Sequence, residues 1–204
     1  MKEILFDLYG EINLEMLENK NHNTIPIILN ETMIDEYLKK YNRINHKNIH
    51  KEHEIGVING LWANTLGQGG IIPIQCMHCP SNSLFDLQLT GLQGNVMKES
   101  MNVAKTLAWK LTTKAKKTKL VKEFEKTKLQ GIHIHCPEGA VPKDGPSAGT
   151  AITTAIYSLL NNKVIKKDVA ITGEINLQGR VTAIGGLELK ILGGIRAVSY
   201  THLT

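Results

Sequence analysis

A mixed α/β fold, short twisted sheets with helices packed on them, is what this 204-residue sequence predicts. Three observations predict it. From Ile55 onward, short apolar runs separated by glycine-bearing turns have the composition of strands. Between Val96 and Leu111 apolar residues recur at steps of 3 and 4, the signature of an amphipathic helix. The apolar run Gly131–Cys136 then passes through a Pro- and Gly-rich loop into a second helix-periodic segment that starts near Ser147.

Taken in order, residues 1–25 carry a leucine-dotted, helix-like pattern at Leu5, Leu8, Ile12, Leu14 and Leu17. Ile25–Ile28 reads as a short strand, and residues 30–38 as a helix whose Thr32 and Asp35 approximate a capping box. Residues 42–54 hold Asn42, Asn45, Asn48, His46, His50 and His53. These histidines have metal-binding chemistry, but the composition favours a solvated linker.

Ile55–Trp62, Ile71–Met77 and Leu84–Thr90 are expected to form a meander, with Gly67, Gly69 and Gly70 supplying a hairpin turn. Met97, Met101, Ala104, Ala108 and Leu111 form the expected core stripe of the first long helix. The lysines from Lys114 to Lys128 follow with few aromatics between them, which favours a solvated helix or loop over a nucleic-acid groove. In the next strand His133 and His135 share a face. With Cys76-Met77-His78-Cys79 they offer enough ligands for zinc, but the second CxxC of a structural site is missing, and core or groove-wall roles are the expectation. Ala151, Ile152, Ala155, Ile156 and Leu159 are the buried face of the helix after Ser147, which ends at Asn161-Asn162. Asp168–Ile175 is the next strand, and Arg180–Ile184 a further short one.

Composition bounds the function. Apolar residues make up 42% and charged residues 21%, the balance of a soluble globular chain long enough for one substantial core plus an appendage. No apolar run approaches the ~20 residues of a membrane span, and the N-terminus does not resemble a signal peptide, so no membrane partner is expected. The expected location is the cytoplasm or an equivalent reducing compartment such as the mitochondrial matrix. Three cysteines, an odd number, argue against a disulfide framework. A net charge of +5 is modest for this length.

The chemistry concentrates in Pro142-Lys143-Asp144-Gly145-Pro146-Ser147-Ala148-Gly149. Pro146 suits a first helical turn, and Gly145, Gly149 and the small Ala148 allow another backbone to approach. Ser147 there lies beside unpaired N–H groups at the positive end of a helix, which favours negative charge near its oxygen. It is either an ordinary N-cap or a nucleophile. The octet matches Gly-x-Ser-x-Gly, but no apolar strand precedes it and the only later histidine is His202, so the α/β-hydrolase elbow is not met. A nucleophile here needs another base, and a buried lysine that is neutral near pH 7 can serve. Lys190 is the candidate, 190 − 147 = 43 residues on. A helix starting near Gly186 would bury Leu187, Ile191 and Gly194, with Lys190 beside them.

Together, Pro-Lys-Asp-Gly-Pro-Ser-Ala-Gly, Thr172-Gly173-Glu174-Ile175 and Ile184-Gly185-Gly186-Leu187-x-x-Lys190 resemble the proteolytic domain of the Lon protease family, whose architecture is ribosomal S5 domain 2-like. The resemblance reaches back to about Ile55. It implies an end of an ATPase module with a connecting strand and helix over 1–41, a polar linker over 42–54, and a proteolytic domain over 55–204 with an incomplete C-terminus, since Ala197–Thr204 matches nothing in the family. It implies a serine endopeptidase of unfolded or damaged proteins that acts through an acyl-enzyme, with Ser147 as nucleophile and Lys190 as base. Thr172 would sit beside Lys190, its hydroxyl accepting from the ammonium, although a β-branched strand residue needs no such role. Asp144 would position the loop with Gly145 and Ala148, and backbone N–H groups there would hold the oxyanion.

Two departures bear on substrate preference. This chain has Gly60-Leu61-Trp62-Ala63 where the family has Gly-Leu-Ala-aromatic, and Gln75 where it commonly has glutamate. No Gly-x4-Gly-Lys-Ser/Thr run occurs, so this chain is expected to hold no cofactor of its own. ATP and Mg would belong to an AAA+ ATPase module preceding Met1, in a homo-hexamer. The competing classes are a catalytically silent assembly module of the same fold and, on the lysine-rich segment, a nucleic-acid-binding domain.

Overall fold

The computed structural model describes residues 9–10, 52–65, 67–137 and 144–201. The chain divides into two compact units, Met1–Asn45 and His46–Thr204. Apart from Tyr9 and Gly10, which are helical, the described residues belong to the second unit. The strand expected at 25–28, the helix at 30–38, most of the polar linker, Pro142, Lys143 and His202–Thr204 lie outside them.

The second unit is mixed α/β. Its elements are β1 (Glu54–Ile55), β2 (Val57–Ala63), β3 (Gly69–Cys79), β4 (Leu87–Thr90), α1 (Asn95–Leu111), α2 (Lys114–Thr127), β5 (Gly131–His135), a 3₁₀ turn (Pro146–Ala148), α3 (Gly149–Asn161), β6 (Val164–Ile165), β7 (Ala170–Ile171), β8 (Glu174–Ile175), β9 (Val181–Thr182) and α4 (Leu187–Thr201). A five-stranded sheet runs β4-β5-β3-β2-β7, flanked by the ribbons β1-β6 and β8-β9. β2 and β3 form an antiparallel hairpin, with Val57 opposite Gln75 and Ala63 opposite Gly69. Its turn is closed by Asn64 N–H donating to the Gln68 carbonyl at 2.9 Å, with Gly67 at a φ of +78°.

The expected meander is corrected. β4 lies at the sheet edge and pairs in parallel with β5, which itself pairs antiparallel with β3. The reason is the connection: α1 and α2 intervene between β4 and β5, so the chain returns and inserts β5 between β3 and β4. The single strand expected over 168–175 is likewise broken at Gly173 into β7 and β8, which join different sheets. Gly69 and Gly70 belong to β3, not to the turn.

Alternation along the strands sorts the two faces. Ile58, Ile74, Cys76, Ile132 and Ile134 point into the core, where Met97, Met101, Ala104 and Ala108 of α1 and Ala151, Ile152, Ala155 and Ile156 of α3 cover them. The expected α1 stripe holds except at Leu111, which is exposed while Leu107 is buried, because the helix ends at Leu111 with no further turn to cover it. α2 buries only Leu120, and Lys117 and Lys128 lie over the rings of Trp109 and Phe124.

α4 packs on β3 and β2, against residues of the other parity. The expected stripe is corrected here too. Leu187 and Ile191 are exposed, and the buried face is Lys190, Gly193, Gly194 and Ala197. Close backbone approach selects it. A Cβ on Gly69 would lie 2.0 Å from the Leu189 carbonyl oxygen, and one on Gly193 would lie 2.1 Å from the Gly69 carbonyl carbon. Any side chain at either position pushes the helix off the sheet.

Gly69→Ala is therefore expected to destabilise the domain by about 1–3 kcal/mol, the usual range for overpacking. Gly185→Ala, where a Cβ meets nothing within 4 Å, should stay within about 0.5 kcal/mol. Urea denaturation followed by circular dichroism measures both, and equal midpoints for the two variants would contradict the glycine contact.

Candidate active site

Ser147 lies in the one-turn 3₁₀ segment that feeds α3, with Pro146 at its first position. Gly145 before it has φ +123° and ψ 154°, a backbone region open essentially to glycine alone. Nothing lies within 4 Å of where its Cβ would be, so conformation and not the expected close approach requires glycine here. At Gly149 the close approach is by side chains, since a Cβ there would lie 2.9 Å from Ser100 Oγ and 3.2 Å from Ile175 Cγ2.

The loop is fastened by backbone on one side. The Ser147 carbonyl accepts from Gly173 N–H at 2.8 Å and from the Thr172 hydroxyl at 3.2 Å. The Gly173 carbonyl in turn accepts from the Thr150 amide and hydroxyl, both at 3.1 Å. The Thr172 hydroxyl thus braces Ser147's own backbone, and its expected bond with the Lys190 ammonium is not formed. Sequence reasoning misses the clamp through Gly173. Its signal is a glycine inside an apparent strand, which marks a break or a close approach.

On the other side Asp144 fastens the loop to α1. Its Oδ1 accepts from Met97 N–H and from Gly145 N–H, each at 2.9 Å. The N-cap residue of α1 is Gly94, which has no side chain to cap with. Asp144 therefore supplies the cap from 144 − 94 = 50 residues away, placing a carboxylate at the positive end of a 17-residue helix. Gly94 makes the room, since a Cβ there would lie 2.3 Å from the Asp144 carboxyl carbon. Ser100 Oγ donates to the Pro146 carbonyl at 3.4 Å. Ala148 is half-buried at the start of α3.

Lys190 comes from the first turn of α4, closed by its N–H to the Gly186 carbonyl at 3.0 Å. The residue is 6% exposed, and its Nζ donates to Ser147 Oγ at 2.9 Å. Among the described residues no carboxylate forms an ion pair with it. Desolvation pushes its amine below the usual lysine range. The structure thus brings together a half-buried hydroxyl and a desolvated amine, the geometry of an activated nucleophile.

The other reactive groups stand apart from this pair. Burial, and secondly Cys136, push the Cys76 thiol far up, so it is an inert core group. No disulfide links Cys76, Cys79 or Cys136. Among the described residues no three His, Cys, Asp or Glu side chains gather to hold a metal ion, and no helix is long and apolar enough to cross a membrane.

Residues 28–202 match the family described as the Lon protease C-terminal proteolytic domain. The chain is 47% identical over 149 residues to a Lon protease of Clostridium acetobutylicum, an alignment covering 73% of this chain and 18% of that one. It is 44% identical over 169 residues to a Lon protease of Fusobacterium nucleatum, covering 83% and 21%. A Lon protease homolog of Acanthamoeba polyphaga mimivirus is 42% identical over 168 residues, covering 80% and 16%. The chain spans about a fifth of the length of these relatives.

If Asp144 holds the loop through the α1 cap, Asp144→Ala should cost about 1 kcal/mol of stability, as lost N-caps do. It should also speed hydrogen exchange at the Met97 amide, while Asp144→Asn, which keeps the accepting oxygen, largely preserves both. Unchanged Met97 protection in the alanine variant would refute the cap.

Proposed function

The chain belongs to the Lon protease C-terminal proteolytic domain family, and from that premise we propose that it is a serine endopeptidase domain working through a Ser147–Lys190 dyad. The observation that carries this reading is the 2.9 Å contact between Lys190 Nζ and Ser147 Oγ, made by a lysine removed from water.

A protonated Lys190 donates to Ser147 Oγ and cannot take its proton. Desolvation disfavours that charged form. The neutral amine accepts the hydroxyl proton as Ser147 Oγ attacks the scissile carbonyl carbon. The tetrahedral intermediate collapses to an acyl-enzyme, and the leaving amine departs with the proton held by Lys190. Lys190, neutral again once that proton has left, then deprotonates water for deacylation. Backbone N–H groups of the Ser147 loop and the start of α3 are the oxyanion donors in this reading. Thr172, Asp144 and Gly145 fix the loop that presents them.

In the full-length protein the substrates would be unfolded or damaged polypeptides, in a cytoplasmic or equivalent compartment. The ring would be a homo-hexamer driven by an AAA+ ATPase module that uses ATP and Mg. This chain has no phosphate-loop sequence to hold a nucleotide, and no step above passes through one.

Hydrolysis of labelled casein by wild type, Ser147→Ala and Lys190→Met, with folding checked by circular dichroism, tests the dyad. Turnover should vanish in both folded variants, with a fall of at least about 10³-fold. A folded Lys190→Met with wild-type turnover would overturn the mechanism, and a wild type that stays silent even when joined to an ATPase ring would favour an assembly module. The pH dependence has a definite sign. A depressed lysine pKa means kcat/KM rises with pH through an ionisation below lysine's usual value of about 10.4. The folded state then binds fewer protons at this group than the unfolded state. The penalty for charging Lys190 is fully present below its folded pKa and is relieved as pH rises toward the unfolded one. Lys190→Met should accordingly be no less stable than wild type at neutral pH.

A further inference from the structure

We propose that His133 and His135 chelate a borderline divalent metal ion, of which Zn²⁺ is the type, on the face of the five-stranded sheet opposite the α1–α3 core. Both residues sit on β5, two apart, so their side chains share the face opposite the core side chains Ile132 and Ile134. Both are half-buried and open to solvent. β5 is held between β3 and β4, so the two imidazoles stand on a rigid mount and not on a loop.

Their nitrogens converge. His133 Nε2 lies 2.9 Å and His135 Nδ1 2.7 Å from one atom, the Thr90 hydroxyl oxygen. That hydroxyl has one proton, so it donates to one imidazole while the other must donate to it. Neither nitrogen is committed to a carboxylate or a backbone carbonyl through this contact. An ion of the kind imidazole prefers replaces the hydroxyl as the shared partner once Thr90 rotates away, and the donating imidazole changes tautomer without any net gain of protons. The strand register brings soft and neutral donors to the same face: Met77 and Gln88 oppose His133, and Gln75 opposes His135. Met77 is 70% exposed, so its thioether is open to an ion arriving from solvent. Two nitrogens with amide, thioether and water donors, and no carboxylate among them, suit Zn²⁺, Ni²⁺ or Cu²⁺ and reject Mg²⁺ and Ca²⁺. None of these residues belongs to the dyad, and the proposal does not depend on the peptidase reading.

Titration of the full 204-residue chain with ZnCl₂ by isothermal calorimetry tests it. One saturable equivalent is expected, weakened about tenfold or more in His133→Gln and in His135→Gln and retained in Cys79→Ser, with no heat from MgCl₂. A wild type that binds no zinc, or binding that survives both histidine substitutions, would overturn the proposal. Because a histidine variant can lose binding by misfolding, Ni²⁺ is added to the ¹⁵N-labelled wild type in parallel. Paramagnetic broadening centred on residues 75–77, 88–90 and 133–135 supports the site, and broadening centred on His78 and Cys79 instead refutes it.

Discussion

Two backbones that touch, β3 at Gly69 and α4 at Gly193, fix where Lys190 can stand. A helix resting on a sheet through ordinary side chains is held off by their length, and glycine at the contact brings it nearer. Lys190 is three residues before Gly193 and so on the same helix face. The approach that buries Gly193 also presses the lysine stem against the sheet and takes its amine out of water. The displaced pKa of Lys190 is thus a consequence of packing between glycines that do not touch the nitrogen itself.

Ser147 is positioned by a different and independent set of contacts. Gly173 and Thr172 hold its carbonyl, Thr150 returns the bond to Gly173, and Asp144 pins the loop before it to the start of α1. Backbone amides and carbonyls do most of this work, and they leave the Oγ atom free to meet the amine. Ser147 and Lys190 therefore arrive on separate elements, each fastened by means that do not involve the other. Their 2.9 Å contact is a result of the fold and not one of the bonds that builds it.

Local periodicity makes α1 and α3 legible almost to the residue, because their buried faces repeat every three or four positions and both stop at a recognisable end. Ser147 and Lys190 are legible through motif resemblance. Three things are not. The insertion of β5 between β3 and β4 is a long-range pairing, and alternation within a strand says nothing about its neighbour. The cap that Asp144 gives α1 joins residues that no local pattern connects. The face of α4 is misread because hydrophobicity chooses Leu187 and Ile191, whereas the sheet chooses the residues without side chains. Where backbones must approach closely, size outranks polarity, and a sequence window weighted by hydrophobicity rotates the buried face by about a quarter turn, keeping Gly194 and the burial of Lys190 but wrongly including Leu187 and Ile191.

That rotation has an energetic side. α4 leaves Leu187, Ile191, Leu192 and Ile195 each more than 40% exposed, and its buried face has little apolar side chain to remove from water. Its attachment relies on close dispersion contacts between backbones, which are individually small, and it also has to desolvate an amine. α1 and α3, by contrast, share a continuous apolar core with the sheet. Elements with few buried apolar contacts open at lower free energy than the core does. The helix that carries Lys190 is therefore the less firmly held member of the pair, while Ser147 remains fixed to the core through α3. Separation of amine and hydroxyl therefore needs only α4 to lift from the sheet, with Ser147 and the core left in place.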